Sequence, residues 1–247
     1  MESREHGSGR RILISGGTSG IGLACAERLS AGGARVWVLG TSEERALEAS
    51  NRMPLVGFSL CDVSDERQVS RAVEEAAGTL GALDGVFVNA GIDGEGLAAI
   101  ELDVNRFRRV LEVNVIGAFL VARASVPVLA RPGAIVFNAS VNALRPEQRF
   151  LDYNASKAAV VSMAKTMALE LSSDGVSVTA LCPGYFPTPM TARYLADEVT
   201  RAEILSGIPA GRTGELAEIA EVVDFLLGAG AAFMTGGVIT VDGGVSI

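Results

Sequence analysis

The sequence of 247 residues is short of several residue types, and each shortage removes a class of chemistry. Its one histidine, His6, lies in a polar N-terminal stretch, which excludes Ser-His-Asp hydrolysis and most zinc sites and predicts no bound metal. The three cysteines, Cys25, Cys61 and Cys182, are far apart and form no C-x-x-C pair. They read as reduced, buried thiols of a cytoplasmic protein. Basic residues are too few for a nucleic-acid partner, because the net charge of −8 would repel phosphates. Of the 21 basic residues only Lys157 and Lys165 are lysines. The start, MESREHGSGR, lacks the apolar core of a secretory signal. The uncharged run Phe225–Val241 is broken by Gly228, Gly230, Gly236 and Gly237. It reads as a helix end, a loop and a strand, so no membrane span is expected.

What is present is an alternation. After a tail at 1–9, one domain is expected over 10–247. Short apolar runs recur at Arg11–Ser15, Arg35–Leu39, Leu55–Leu60, Gly85–Val88, Ala134–Ala139, Val176–Leu181 and Val238–Val241. Most are continuous rather than alternating, as strands buried on both faces of a parallel sheet are. Helical stretches fall between them, at about 20–32, 42–52, 64–80, 103–129, 152–172 and 214–228. Ser64 and Thr213 read as helix starts. The pattern predicts an α/β fold, a doubly wound parallel sheet of about seven strands with right-handed crossovers. Stretches 103–129 and 152–172 carry apolar or small residues around most of their girth, which predicts a homo-oligomer, dimer or tetramer, joined through them.

The first strand runs into a glycine-rich turn and a helix: Ser15, Gly16, Gly17, Thr18, Ser19, Gly20, Ile21, Gly22. Glycine there lets the backbone approach a phosphate, and the helix N-terminus offers free N–H groups and a positive dipole end. This position, the first βα turn, predicts dinucleotide binding. The second strand ends in Gly40, Thr41 and Ser42, which should meet the adenosine ribose. No acid or base stands at the tip. Thr41 and Ser42 suit a hydroxyl or a phosphate, Arg45 one turn on favours a phosphate, and Glu43 and Glu44 oppose it. NADP or NAD is expected, with a slight lean to NADP.

Ser140 ends the fifth strand, and Tyr153 and Lys157 follow four residues apart on one helix face. A tyrosine base near neutral pH needs its pKa lowered by about 3 units, and a neighbouring ammonium stabilises the phenolate. Ser140 can hydrogen-bond a substrate oxygen.

With these motifs in order, the sequence resembles the short-chain dehydrogenase/reductase family over nearly all of 10–247. The matching segments are SGGTSGIG (Ser15–Gly22), CDV (Cys61–Val63), VNAG (Val88–Gly91), EVN (Glu112–Asn114), Ser140, YNASK (Tyr153–Lys157), PGYFPT (Pro183–Thr188) and VDGG (Val241–Gly244). The stretch Ile208–Leu227 is most similar to bacterial 3-oxoacyl-carrier-protein reductase-like members. The resemblance implies hydride transfer between NAD(P)(H) and a carbonyl or secondary alcohol. It makes Tyr153 the acid/base, Lys157 its modulator and ribose ligand, Ser140 the orienter and Asn114 the holder of a relay water. It places Asp62 and Val63 beside the adenine, and Asn89, Ala90 and Gly91 beside the cofactor. Pro183, Gly184, Phe186 and Thr188 are placed at the nicotinamide end. Ser15, Val88 and Ser19 depart from the usual residues, and Ser19 weakens the lean to NADP.

Two variable segments should line the cleft for a small-molecule substrate. Asn142, Leu144, Arg145 and Phe150 come from the first, and Tyr185, Met190 and Tyr194 from the second, a lid. A regulatory nucleotide-binding protein of the same fold is the alternative. An epimerase or dehydratase would need a further substrate domain.

Overall fold

The computed structural model describes residues 9–247. The expected tail and His6 fall outside the described residues, apart from Gly9. The strands are β1 (Arg11–Ser15), β2 (Arg35–Gly40), β3 (Gly57–Leu60), β4 (Leu83–Val88), β5 (Leu129–Asn138), β6 (Val176–Pro183) and β7 (Val238–Val241). All pair in parallel in the order β3-β2-β1-β4-β5-β6-β7. Successive side chains of β1 face opposite layers. Ile12 and Ile14 pack with α1 (Gly20–Ala31), α2 (Glu43–Arg52) and α9 (Leu216–Leu226); Leu13 packs with the opposite layer. That layer holds α3 (Glu66–Leu80), α5 (Ala118–Ser125) and α6 (Leu151–Leu171). Burial on both faces explains why β6 is buried along its whole length and why the apolar runs are continuous.

The stretch expected as one helix over 103–129 is divided. An α-helix, α4 (Val104–Leu111), widens into a π-helical turn at Glu112–Gly117 before α5 and a 3-10 turn at Val126–Val128. Gly117 lies against Val63, where a Cβ would stand 2.7 Å from the Val63 side chain. Val104–Val128 is long and apolar enough to cross a membrane, but half of its most apolar window is buried in the fold.

Two helix starts differ from expectation. Asp65, not Ser64, caps α3 by accepting from Arg67 and Gln68 N–H; Ser64 is held instead by Asp62. Glu215, not Thr213, begins α9, its N–H donating to Glu218 at 2.8 Å. The proposed lid contains two helices that periodicity does not reveal, α7 (Ala192–Ala196) and α8 (Glu198–Ser206). Both are too short and polar for an apolar stripe; Asp197 caps α8 through Thr200 N–H. The three cysteines are buried and free. Burial pushes the thiols of Cys61 and Cys182 up to about 11, so they are protonated near neutral pH.

Candidate active site

The strand order reverses between β1 and β4, and at the C-terminal ends of these strands lies a crevice. One cleft of about 290 Å³ runs from Gly16, Ser19, Gly20 and Ile21 to Tyr153 and Lys157, past Asn89, Ala90 and Gly91. It also touches Pro183, Gly184, Phe186 and Thr188. A second cleft, of about 630 Å³, shares Ser140, Tyr153, Gly184 and Met190 with it. The candidate catalytic residues therefore stand where two cavities meet. A third cavity, of about 380 Å³, lies near the N-terminal edge of the sheet beside Arg10 and Asp224 and holds none of the motif residues.

The first cleft fits a dinucleotide. Ser42, Asp65, Asp103 and Asp197 cap α2, α3, α4 and α8 with their side chains. Ser19, at the N-cap of α1, accepts no such bond, so the first turn of α1 keeps N–H groups for an anion. Gly16 and Gly20 have φ of 65° and 52°, a region side chains rarely enter. A Cβ on Gly22 would lie 2.2 Å from the carbonyl oxygen of Gly16. At the far end, Asn138 Oδ1 is buried without a partner among the described residues, in the wall beside Lys157. It is an acceptor ready for a ligand hydroxyl or amide.

Several expected ligands do other work. Ser15 is fully buried, and its Oγ accepts from Asn89 and Ala90 N–H, bracing β1 against β4. Val63 is in the core, so its side chain does not reach the crevice. The ring of Phe186 is buried against Gly214 and the α9 layer. Thr18 packs against Gly40 at the end of β2. Ser42 accepts from Arg45 N–H, Thr41 is exposed, and neither lines the cleft around Lys157. Asp62 is held below the usual carboxylate range, first by Ser64 and then with help from Arg109. The carboxylate oxygens accept from both partners.

Tyr153 and Lys157 share a face of α6, with Nζ 5.5 Å from the phenol ring centroid. Burial pushes the Tyr153 phenol up; Ser140 acts in the opposite sense, while Asp93 and Glu147 add to the rise. Lys157 is buried, which pushes its ammonium down to about 8, and Nζ donates to the Asn138 carbonyl at 2.8 Å. The Asn114 side chain is committed: Oδ1 accepts from Ile92 N–H, and Nδ2 donates to Ile92 O and Ser156 Oγ. It ties the π turn to the loop after β4 and to α6, so its amide is a brace rather than a free water ligand.

A family model described as enoyl-(acyl carrier protein) reductase matches residues 16–246. The chain belongs to the short-chain dehydrogenase/reductase family. This family member is 32% identical to the glucose 1-dehydrogenase of Gluconobacter oxydans, over 97% of this chain and 93% of the relative. Its fold superposes with TM-score 0.91 on 3-ketoacyl-(acyl-carrier-protein) reductase from Brucella melitensis complexed with NADH. Identity there is 32%, covering 97% of this chain and 99% of that one. It superposes equally, TM-score 0.91 at 29% identity and 97% coverage of both chains, on the Pseudomonas aeruginosa RhlG/NADP active-site complex. The enzyme is an NAD(P)-dependent oxidoreductase.

In this dehydrogenase/reductase the second cleft has Asn142, Arg145, Phe150, Tyr185, Met190 and Tyr194 in its wall. Leu144 is exposed and stands outside that wall, because the 3-10 turn Val141–Ala143 directs it to solvent. Asp93, Glu147, Asn138 and Asp152 were not legible as site residues. Tyr194 OH donates to Asp93 at 2.6 Å, and Arg193 also pairs with Asp93, tying α7 to the loop after β4. Asp152 is fully buried; its Oδ1 accepts Tyr153 N–H at 2.9 Å, and Oδ2 has no partner among the described residues. Phe150 cannot cap α6, so this carboxylate serves its first turn. The one sequence signal was an acid next to the tyrosine.

Proposed function

We propose that the enzyme interconverts a secondary alcohol and its carbonyl compound, with Tyr153 carrying the proton. The reading is supported by one observation above the rest: Ser140 and Tyr153 line both clefts at their junction, with Lys157 beneath in the first. When bound, the nicotinamide supplies or accepts the hydride. Ser140 orients the substrate oxygen. In reduction Tyr153 donates its proton to that oxygen, and burial keeps the phenol protonated for the step. In oxidation the phenol must lose that proton. The Lys157 ammonium, fixed by Asn138, supplies positive charge next to the ring. Asn114 acts as a positioning residue for the loop after β4.

The relatives named for glucose and for 3-ketoacyl groups share this alcohol–carbonyl chemistry while their substrates differ. The reading favours NADP, with Arg45 one turn beyond Thr41 and Ser42, against Glu43 and Glu44. Homo-oligomerisation through the 104–128 and 151–171 helices is part of the proposal: Phe119 and Leu169 are 40% and 83% exposed on them. Sedimentation should show a dimer or tetramer. A monomer at micromolar concentration would overturn that part. The reading includes cytoplasmic placement, which three free, buried thiols support.

The deciding experiment is fluorescence titration with NADH and NADPH, followed by turnover on a carbonyl panel with wild type and Tyr153→Phe. Nucleotide binding and Tyr153-dependent turnover are expected. Turnover that survives the substitution would sink the role of Tyr153.

A further inference from the structure

The second cleft carries a recognition element that the alcohol–carbonyl reaction does not use. Glu147 is held there by three polar neighbours. Tyr185 OH donates to Glu147 Oε2 at 3.0 Å, and Asn142 Nδ2 donates to the same oxygen at 3.3 Å. Asn154 Nδ2 donates to the Glu147 carbonyl at 2.7 Å and its Oδ1 accepts from Asn142. Oε1 accepts no hydrogen bond among the described residues. An exposed carboxylate is thus held at the rim of a cleft that also holds Tyr153, and it can only accept while ionised.

Of the cations around this cleft, Arg145 and Arg149 each give one donor to a neutral carbonyl, and only Arg193 has a carboxylate partner. Arg145 donates to Val245 O at 2.7 Å, Arg149 donates to Gly96 O at 2.9 Å, and the nearby Arg193 pairs with Asp93. A substrate that sets a carboxylate against Glu147 would be repelled and would have no proton to donate to it. A neutral one with a hydroxyl to donate would meet a preset, charge-assisted acceptor. Phe150, Tyr185 and Met190 give part of the wall an apolar and aromatic surface, suited to the C–H face of a ring, beside the polar Gln148, Thr191, Thr200 and Glu203.

We propose that the substrate is a ring alcohol bearing a second hydroxyl, a cyclic diol or polyol, whose non-reacting hydroxyl donates to Glu147 Oε1. This rests on the reading of Tyr153 as the acid/base. It goes further in assigning specificity to Glu147, with Tyr185 and Asn142 as its positioning residues. A site built to pair with a hydroxyl discriminates strongly against an analogue that lacks it.

The test compares NAD(P)+-dependent oxidation of cis-1,2-cyclohexanediol, cyclohexanol and the anion of 2-hydroxycyclohexanecarboxylic acid. Wild type should prefer the diol over both others by at least about tenfold in kcat/KM. Glu147→Ala should remove most of the diol-over-cyclohexanol preference. Tyr185→Phe should weaken it through KM. NADH affinity by fluorescence, within about twofold of wild type, shows that each variant is folded. A wild-type ratio near one, preference for the anion, or an undiminished ratio in Glu147→Ala overturns the proposal. Rejection of all three ring alcohols, with turnover of other carbonyls lost in Tyr153→Phe, overturns it while leaving the proton role of Tyr153 standing. Ring-alcohol turnover unchanged in Tyr153→Phe overturns the acid/base reading and, with it, this proposal.

Discussion

Lys157 Nζ donates to the carbonyl oxygen of Asn138, 2.8 Å away, and Asn138 joins it to the glycine loop. Asn138 Nδ2 donates to Asn89 Oδ1 at 2.8 Å, and Asn89 Nδ2 donates to Gly16 O at 3.0 Å. The glycine turn and Lys157, at opposite ends of the first cleft, are thus linked by amides at the tips of β1, β4 and β5.

The buried ammonium of Lys157 makes stability depend on pH. Its folded value of about 8 lies below its ordinary value, so between pH 8 and 10 the unfolded chain binds more protons than the folded one. The destabilisation from burying the charge is complete below pH 8 and is relieved as pH rises through it. Relative to Lys157→Met, wild type should gain up to about 3 kcal/mol across that window. Urea unfolding of both proteins at pH 7 and pH 9.5 reads this directly. A constant difference would contradict it.

Tyr153→Phe removes the proton carrier while leaving the ring. Turnover should fall by about 10³-fold, in line with loss of general acid–base catalysis. NADH affinity should change little, because the backbone N–H of residue 153 still donates to Asp152. Single-turnover kinetics and a fluorescence titration check the two halves.

Gly22→Ala places a Cβ 2.2 Å from the Gly16 carbonyl oxygen, a contact that forces the loop to move. The expected results are about 1–3 kcal/mol of destabilisation and at least a tenfold loss of nucleotide affinity. Gly78→Ala is the control, since its Cβ would meet nothing within 4 Å; helix propensity there gives a slight gain. Thermal melts with and without NADPH separate the two effects.

Asp152→Ala deletes the acceptor of Tyr153 N–H at the start of α6. Loss of such a cap is worth about 1 kcal/mol, and kcat should fall more than KM rises as Tyr153 loses its register. Asp152→Asn keeps an acceptor oxygen and should restore most of both. A more stable alanine variant would mean that burying the unpartnered Oδ2 outweighs the bond.

Sheet and site separated differently into legible and illegible parts. β1 and β7 have the bounds that their apolar runs indicate, and the others differ by a few residues. Their runs are local signals of burial on two faces. The Gly16–Gly22 turn and the Tyr153–Lys157 spacing were readable for the same reason, because each is set by neighbours along one chain segment. Asn138, Glu147 and Asp93 gave no such signal. Asn138 meets Lys157 and Asn89, Glu147 meets Tyr185, and Asp93 meets Tyr194 and Arg193, all distant in sequence; only Asn142, five residues from Glu147, is near.

The sequence by itself determined the α/β alternation, the glycine-rich turn after β1 and the spacing that puts Tyr153 and Lys157 on one helix face. Those depend on periodicity and on spacings within a few residues. Only the tertiary structure decided that Ser15, Val63 and the Phe186 ring pack into the protein while Leu144 faces solvent. It also decided that Tyr153 and Lys157 are both buried, which pushes the phenol up and the ammonium down. The reason is physical: desolvation and hydrogen-bond satisfaction are summed over everything that surrounds a group, and most of those neighbours arrive from other strands.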